Sequence, residues 1–359
     1  MRPSSRLAAW VLALATLAGC IVRLDDEFLP DGDTNEHDAG APNVATGCKP
    51  WSGLSGVRSL AGDSRSLASD DGGTLWIVDD AVTTDGGTTS PAAIVVGAGA
   101  RGDCTGWSSS FEGPATGPSP LEDGGAIAPL DLVATGVGPA LYYSVFAHDP
   151  SAPLGLRPLG VGIAMAASNG TFVPTNDLLW TPDRPAYGGS ALRMGDTVFV
   201  WGCKSTGAFS ADCFVAQASA ASLDSASAYT YWAGDAWSAN PDDATPITSA
   251  GGVVSVRPDP TRAGRLLMTY VPPLGDTLVM RSAMAPQGPW SAPVTLASCD
   301  LAGAGSGSFC SGGQQHPALV TGTPRIALTY DARTFTPDAG TAAAFWPKLV
   351  TVEVPAALP

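Results

Sequence analysis

Ser190-Ala191-Leu192-Arg193-Met194-Gly195-Asp196-Thr197-Val198-Phe199-Val200-Trp201-Gly202 is the stretch on which the fold turns. A short run leads into Met194-Gly195-Asp196, and a second run rich in β-branched and aromatic residues leads out of it. Strand, tight glycine turn, strand is the signature of a β-hairpin. The same unit occurs four more times. Upstream, 66–69 and 74–79 flank Asp70-Asp71-Gly72-Gly73, and 131–134 and 141–146 flank a glycine-rich turn. Downstream, 253–256 and 265–270 flank a Pro/Asp/Arg turn, and 316–320 and 325–331 flank Thr321-Gly322-Thr323.

Equivalent positions in the second strands are Trp76, Tyr143, Val198, Met268 and Leu328, at intervals of 67, 55, 70 and 60 residues. A third apolar segment follows each unit, at 93–96, 161–167, 214–218, 277–282 and 348–353. A blade of four strands takes roughly 40–50 residues in tight propeller families, so these intervals leave room for inserted loops. No stretch carries a sustained helical apolar stripe, and the Ala/Ser-rich 216–227 reads as strand followed by loop. The reading is therefore all-β, a five-bladed β-propeller. A β-sandwich explains the composition equally well but not the fivefold recurrence.

Outward from the repeats, the first residues read as an export signal. Arg2 and Arg6 precede an apolar run, which ends in Leu17-Ala18-Gly19-Cys20. This resembles a bacterial lipobox, so 1–19 is expected to be a lipoprotein signal peptide and Cys20 the lipidated mature N-terminus. An acyl pair plus an amide-linked chain suffices for stable anchoring. The expected location is the cell envelope, outside the cytoplasm and tied to the membrane through Cys20. Residues 20–46, with Asp25, Asp26, Glu27, Asp31, Asp33, Glu36 and Asp38, are expected to form an acidic disordered tether. Its Asp31, Asp33, Asn35 spacing falls short of a calcium loop, because Glu36 and Pro42 stand where Gly and Glu are needed. The propeller domain is then 47–359.

The chain has 359 residues and a formal net charge of −15, with lysine only at Lys49, Lys204 and Lys348. Nucleic acid, which demands clustered basic side chains, is excluded as a partner. No cofactor is expected, and the domain is expected to be monomeric. Apart from Cys20 there are six cysteines. In an oxidising compartment they read as disulfides. Local order pairs Cys203 with Cys213 and Cys299 with Cys310, leaving Cys48 with Cys104. Metal binding is the rival reading; there is no C-x₂-C spacing, and the only histidines are His37, His148 and His316.

Met280-Arg281-Ser282-Ala283-Met284-Ala285, followed by Gly288-Pro289-Trp290-Ser291-Ala292-Pro293, resembles a stretch of five-bladed glycosidase-like propellers. These include family 43 glycoside hydrolases and the DUF4185 domain, whose function is undefined. Tyr187-Gly188-Gly189-Ser190-Ala191 with 197–202 resembles the central blade of DUF4185, and Gln315-His316-Pro317-Ala318-Leu319 with 326–330 its last blade. The likeness spans about 60–355. Within the GPWS turn, Gly and Pro make the bend and Trp290 is expected to pack between blades.

Several motifs are absent: G-x-S-x-G, H-E-x-x-H and the P-loop. Gly97-Ala98-Gly99-Ala100-Arg101-Gly102 fits G-x-G-x-x-G, but no helix follows, so it reads as a hairpin loop. Glycoside hydrolysis needs two carboxyl groups across the scissile bond. Glutamate occurs only at Glu27, Glu36, Glu112, Glu122 and Glu353, none in the middle blade, where the resemblance implies the acid. The remaining catalytic candidates are Asp79, Asp80 and His148, at the ends of second strands. Tyr187, Trp201, Arg281 and His316 are candidate ligand contacts around a channel mouth, Trp201 as a sugar-stacking face. Two functions stand: a propeller that binds carbohydrate or another envelope ligand, and a glycoside hydrolase with paired carboxylates.

Overall fold

The computed structural model describes Leu54 and residues 57–356, apart from 69–73, 86–87, 90, 97–108, 117–125, 153–155, 168–170, 176, 208–209, 302–306, 321–323 and 335–346. The backbone alone is described for 57–63, 68, 80, 82–83, 88–89, 95–96, 109–111 and 334. The signal peptide, the tether, Cys48, Cys104, Glu122 and the Gly97–Gly102 motif lie outside the described residues.

Five separate antiparallel sheets follow one another along the chain. Blade 1 comprises β1 (Val57–Ala68), β2 (Thr74–Thr83), β3 (Thr88–Thr89), β4 (Ala92–Val96) and β5 (Ser109–Pro114). Blade 2 comprises β6 (Ala126–Thr135), β7 (Gly138–His148), β8 (Leu156–Ala166) and β9 (Phe172–Pro174). Blade 3 comprises β10 (Ser190–Met194), β11 (Thr197–Gly207), β12 (Ser210–Ser219), β13 (Thr230–Trp232), β14 (Trp237–Ser238) and β15 (Thr248–Ala250). Blade 4 comprises β16 (Ser255–Pro258), β17 (Leu266–Tyr270), β18 (Thr277–Ala283) and β19 (Val294–Ser298). Blade 5 comprises β20 (Ser308–Gln315), β21 (Arg325–Thr334) and β22 (Lys348–Glu353).

The first strands β1, β6, β10, β16 and β20 touch one another in ring order, and β20 returns to β1. They line the axis of a five-bladed propeller. Strand periodicity explains why the ring closes. Along β11, Val198 and Val200 turn into the core shared with blade 2, while Trp201 and Cys203 belong to the core shared with blade 4. Each blade is apolar on both faces, and an apolar sheet face must be covered by another element. Five such cores result, one between each neighbouring pair. The core between blades 5 and 1 joins Trp76, Val78 and Ile94 to Leu319, Ala327 and Leu349.

The deciding hairpin forms as read. Met194 opposes Thr197, and Gly195 between them adopts φ +64°, the left-handed conformation that glycine takes without penalty. The fifth unit differs from its reading. Residues 316–320 are not its inner strand: Pro317–Leu319 form a 3-10 turn, and β20 lies just upstream. Pro317 has no N–H to give a ladder, so the strand ends before it.

Disulfides Cys203–Cys213 and Cys299–Cys310 are both present. The first links directly opposed residues of β11 and β12. Trp290 is half-buried against the core between blades 3 and 4, as the turn motif implies.

Candidate functional site: the axial polar layer

The inner strands are apolar on their flanks and polar at one level of the axis. On the side of blades 2 to 4 the centre is Asp131, on β6, with no solvent exposure. Both of its carboxylate oxygens accept from Arg257 Nη2 at 2.9 Å. The backbone N–H of Leu132 donates to Oδ1 at 2.9 Å, and that of Ala191 to Oδ2 at 2.7 Å. Arg257 Nη1 in turn donates to Ser190 Oγ and the carbonyls of Ala191 and Val256. One ion pair thus ties three inner strands together. Charge-assisted hydrogen bonds of this density belong to the strong class.

On the side of blades 5 and 1 the centre is His316, fully buried. Its Nδ1 lies 2.6 Å from Ser66 Oγ, its Nε2 lies 2.7 Å from Thr329 Oγ1, and its ring stacks on Trp76 at 4.3 Å. Ser64 Oγ donates to Thr329 Oγ1 at 2.9 Å. A consistent chain runs Ser64 to Thr329 to Nε2, with the Nδ1–H donating to Ser66, and it requires a neutral imidazole. Burial, with the charges of Arg257 and Arg65, pushes its pKa well below the usual value.

Between these centres, Arg65 Nε donates to the Leu130 carbonyl, joining blades 1 and 2. Gln315 Nε2 donates to the carbonyls of Ser255 and Leu267, joining blades 5 and 4. Beside His316 a cavity of about 30 Å³ is lined by Pro258, Pro260, Gln315, Val320 and Ile326. That is room for a water or two, far below the roughly 300 Å³ at which ligand pockets begin.

Tyr187, Trp201, Arg281, His148 and His316 are spread over different parts of the described structure. Asp79 is buried and engaged; the side chain of Asp80 is outside the described set. His148 stands exposed at the end of β7, beside Asp149, whose carboxyl is lowered mainly by the Ser151 hydroxyl. Tyr187 is no channel residue: it is fully buried between Trp180 and Tyr231, and burial raises its pKa. Trp201 offers no stacking face, because it is fully buried and its Nε1 donates to the Pro286 carbonyl at 3.0 Å. Arg281 is a stitch rather than a ligand contact, donating to the carbonyls of Ser291 and Ser249. His316 lies in the axial layer and beside its cavity. Large aromatic residues fill the interblade cores because two apolar sheet faces leave wide space to fill.

Asp131, Arg257 and Gln315 were missed as members of the axial layer. The available signal was charge inside a strand: Asp131 opens an otherwise apolar run, and Arg257 directly follows another. Among the described residues no three His, Cys, Asp or Glu side chains cluster as metal ligands.

Residues 170–323 match DUF4185, a domain of unknown function. The DUF4185 segment runs from the end of blade 2 through blades 3 and 4 to the inner strand of blade 5. No curated protein sequence matches this chain. Among solved structures, a Bacteroides ovatus protein proposed to be a hydrolase superposes with a TM-score of 0.61 at 14% identity, covering 84% of this chain and 87% of that one. The GH43_1 enzyme of Xanthomonas citri, complexed with xylose, gives 0.53 at 11% identity, covering 88% and 92%. The exo-β-1,3-galactanase of Phanerochaete chrysosporium, with galactose, gives 0.52 at 11%, covering 88% of this chain and 65% of that one. At these identities the likeness shows the propeller fold alone.

Proposed function

We propose that this chain is a lipid-anchored envelope protein whose propeller binds carbohydrate, or another envelope ligand, without hydrolysing it. The observation that carries the reading is the engagement of Asp131. A glycosidase needs a mobile proton donor and a second carboxylate facing the scissile bond. Here the axial carboxylate spends both oxygens on Arg257 and two backbone N–H groups. The glutamates among the described residues, Glu112 on β5 and Glu353 on β22, are exposed on outer strands.

The alternative, a glycoside hydrolase, is favoured by the fold of the structural neighbours and by a second buried carboxylate, Asp79, in the blade next to Asp131. Titration of the purified protein against a panel of polysaccharides and chromogenic glycosides separates the two. Binding without product release is expected. Release abolished by Asp79→Asn would replace the binding reading with the hydrolase.

The envelope location rests on Leu17-Ala18-Gly19-Cys20. Cells labelled with a fatty-acid analogue are expected to tag this protein and to leave Cys20→Ser untagged. Equal label on both would remove the anchor.

A further inference from the structure

We infer that the buried seam between blades 5 and 1, beside the axis, is a binding site for a neutral polyhydroxylated ligand, a sugar ring or chain end, contacted by Gln314 and Ser311. The inference rests on the glycan reading above and gives it a location.

Gln314 is 1% exposed, yet neither its Oε1 nor its Nε2 has a hydrogen-bond partner, and Ser311 Oγ has none either. Buried polar atoms are almost always paired, and an unpaired one is retained against a stability cost. Four such atoms lie on the inner strand β20: Ser311 Oγ, both amide atoms of Gln314, and Oε1 of Gln315.

The backbone aims them. Gly312 and Gly313 take φ of +94° and +88°, in the left-handed region. Gly312 opposes Tyr330 and Gln314 opposes Thr329, so Gly313 is the extra residue of a bulge. A Cβ on Gly313 would lie 3.2 Å from the Tyr270 backbone. Bulges of this kind re-aim the side chains around them. Directly opposed residues share a sheet face. Gln314 therefore lies on the face of Thr329, whose hydroxyl meets Ser64 of blade 1. Ser311 lies on the face of its partner Asp331. Gln315 points the other way, into blade 4.

The chemistry of the seam selects the ligand. The amide brings two donors and an acceptor, and the hydroxyl brings one donor and two lone pairs. The neighbouring charges, Asp331 and Arg333, balance each other at 3.4 Å. A simple anion or cation gains nothing from this balance. Hydroxyl groups, which donate and accept at once, match both side chains.

The test uses the whole protein with galactose and xylose as probes and galacturonate as the charged control, read by calorimetric titration and thermal unfolding. A neutral sugar is expected to bind, and galacturonate to bind no tighter. Gln314→Leu is expected to weaken binding at least about tenfold while raising the unliganded Tm by about 2–4 °C, since it removes unpaired buried atoms. Ser311→Ala is expected to weaken binding about threefold or more with Tm unchanged. A lowered Tm in Gln314→Leu would assign the amide to the fold and overturn the inference. So would sugar binding undiminished in either variant, which leaves the glycan reading intact with its site elsewhere. A wild-type protein that binds none of these sugars overturns the inference, and a blank polysaccharide panel beside it overturns the glycan reading as well.

Discussion

The two sides of the axis solve the same problem differently. Both bury polar side chains at the meeting of inner strands. Around Asp131 and Arg257, both carboxylate oxygens and both terminal guanidinium nitrogens are engaged within the protein. Around Gln314 and Ser311, three polar atoms remain unpaired, although Gln314 is as deeply buried as the ion pair and Ser311 is half-buried. A fully engaged buried pair holds strands in register and has nothing left for a ligand. An incompletely engaged one costs stability and keeps hydrogen-bonding capacity. The comparison separates structure from function on a ring where both look equally polar in composition.

The largest effect should come from breaking the engaged side. Asp131→Ala leaves Arg257 charged, buried and unpaired, and is expected to cost about 3–5 kcal/mol in denaturant unfolding. A loss under about 1 kcal/mol would mean that Arg257 escapes to water, and the contrast between the two sides would collapse.

A smaller effect tests the other side through pH. His316 is held neutral, with its folded pKa well below the ordinary 6.5. The unfolded chain then binds more protons below that value, so stability is complete above pH 6.5 and falls as pH drops. The loss should be on the order of 1 kcal/mol by pH 5.5. His316→Phe, which keeps a ring against Trp76, should be less stable at neutral pH but lack this slope. An unchanged slope in the variant would move the titration to another group.

The smallest effect lies on the surface. Arg184 and Asp242 pair at 2.5 Å, with side chains 27% and 69% exposed. Arg184→Ala should change stability by only about 0–1 kcal/mol, and less at high salt. A loss as large as that of Asp131→Ala would show that burial is not what distinguishes the axial pair.

The blades were readable because strands announce themselves locally. Alternation and glycine turns fall within a dozen residues, and the units around Trp76, Tyr143, Val198 and Met268 became β1–β2, β6–β7, β10–β11 and β16–β17. The fifth was misplaced because Ser308–Gln315 is polar and glycine-bearing, unlike any ordinary core strand. That oddity belongs to the residues facing the seam. The site was much harder to read. Tyr187 and Trp201 have the composition of a sugar platform, and only the packing of neighbouring blades reveals them as core. Asp131 and Arg257 are 126 residues apart, and no local pattern joins them. Two short disulfides were readable because each pair is close in sequence, 10 and 11 residues apart.

A ring wound from a linear chain has one joint that no peptide link crosses. Here it lies between the last blade and the first, whose sheets share no strand among the described residues. Four joints have a covalent hinge; this one is a latch, fastened by Ser64–Thr329, Ser66–His316 and the stacked Trp76. A pull on the leading end of the chain would load that latch before any other joint, and acid would loosen it by charging the histidine at its centre.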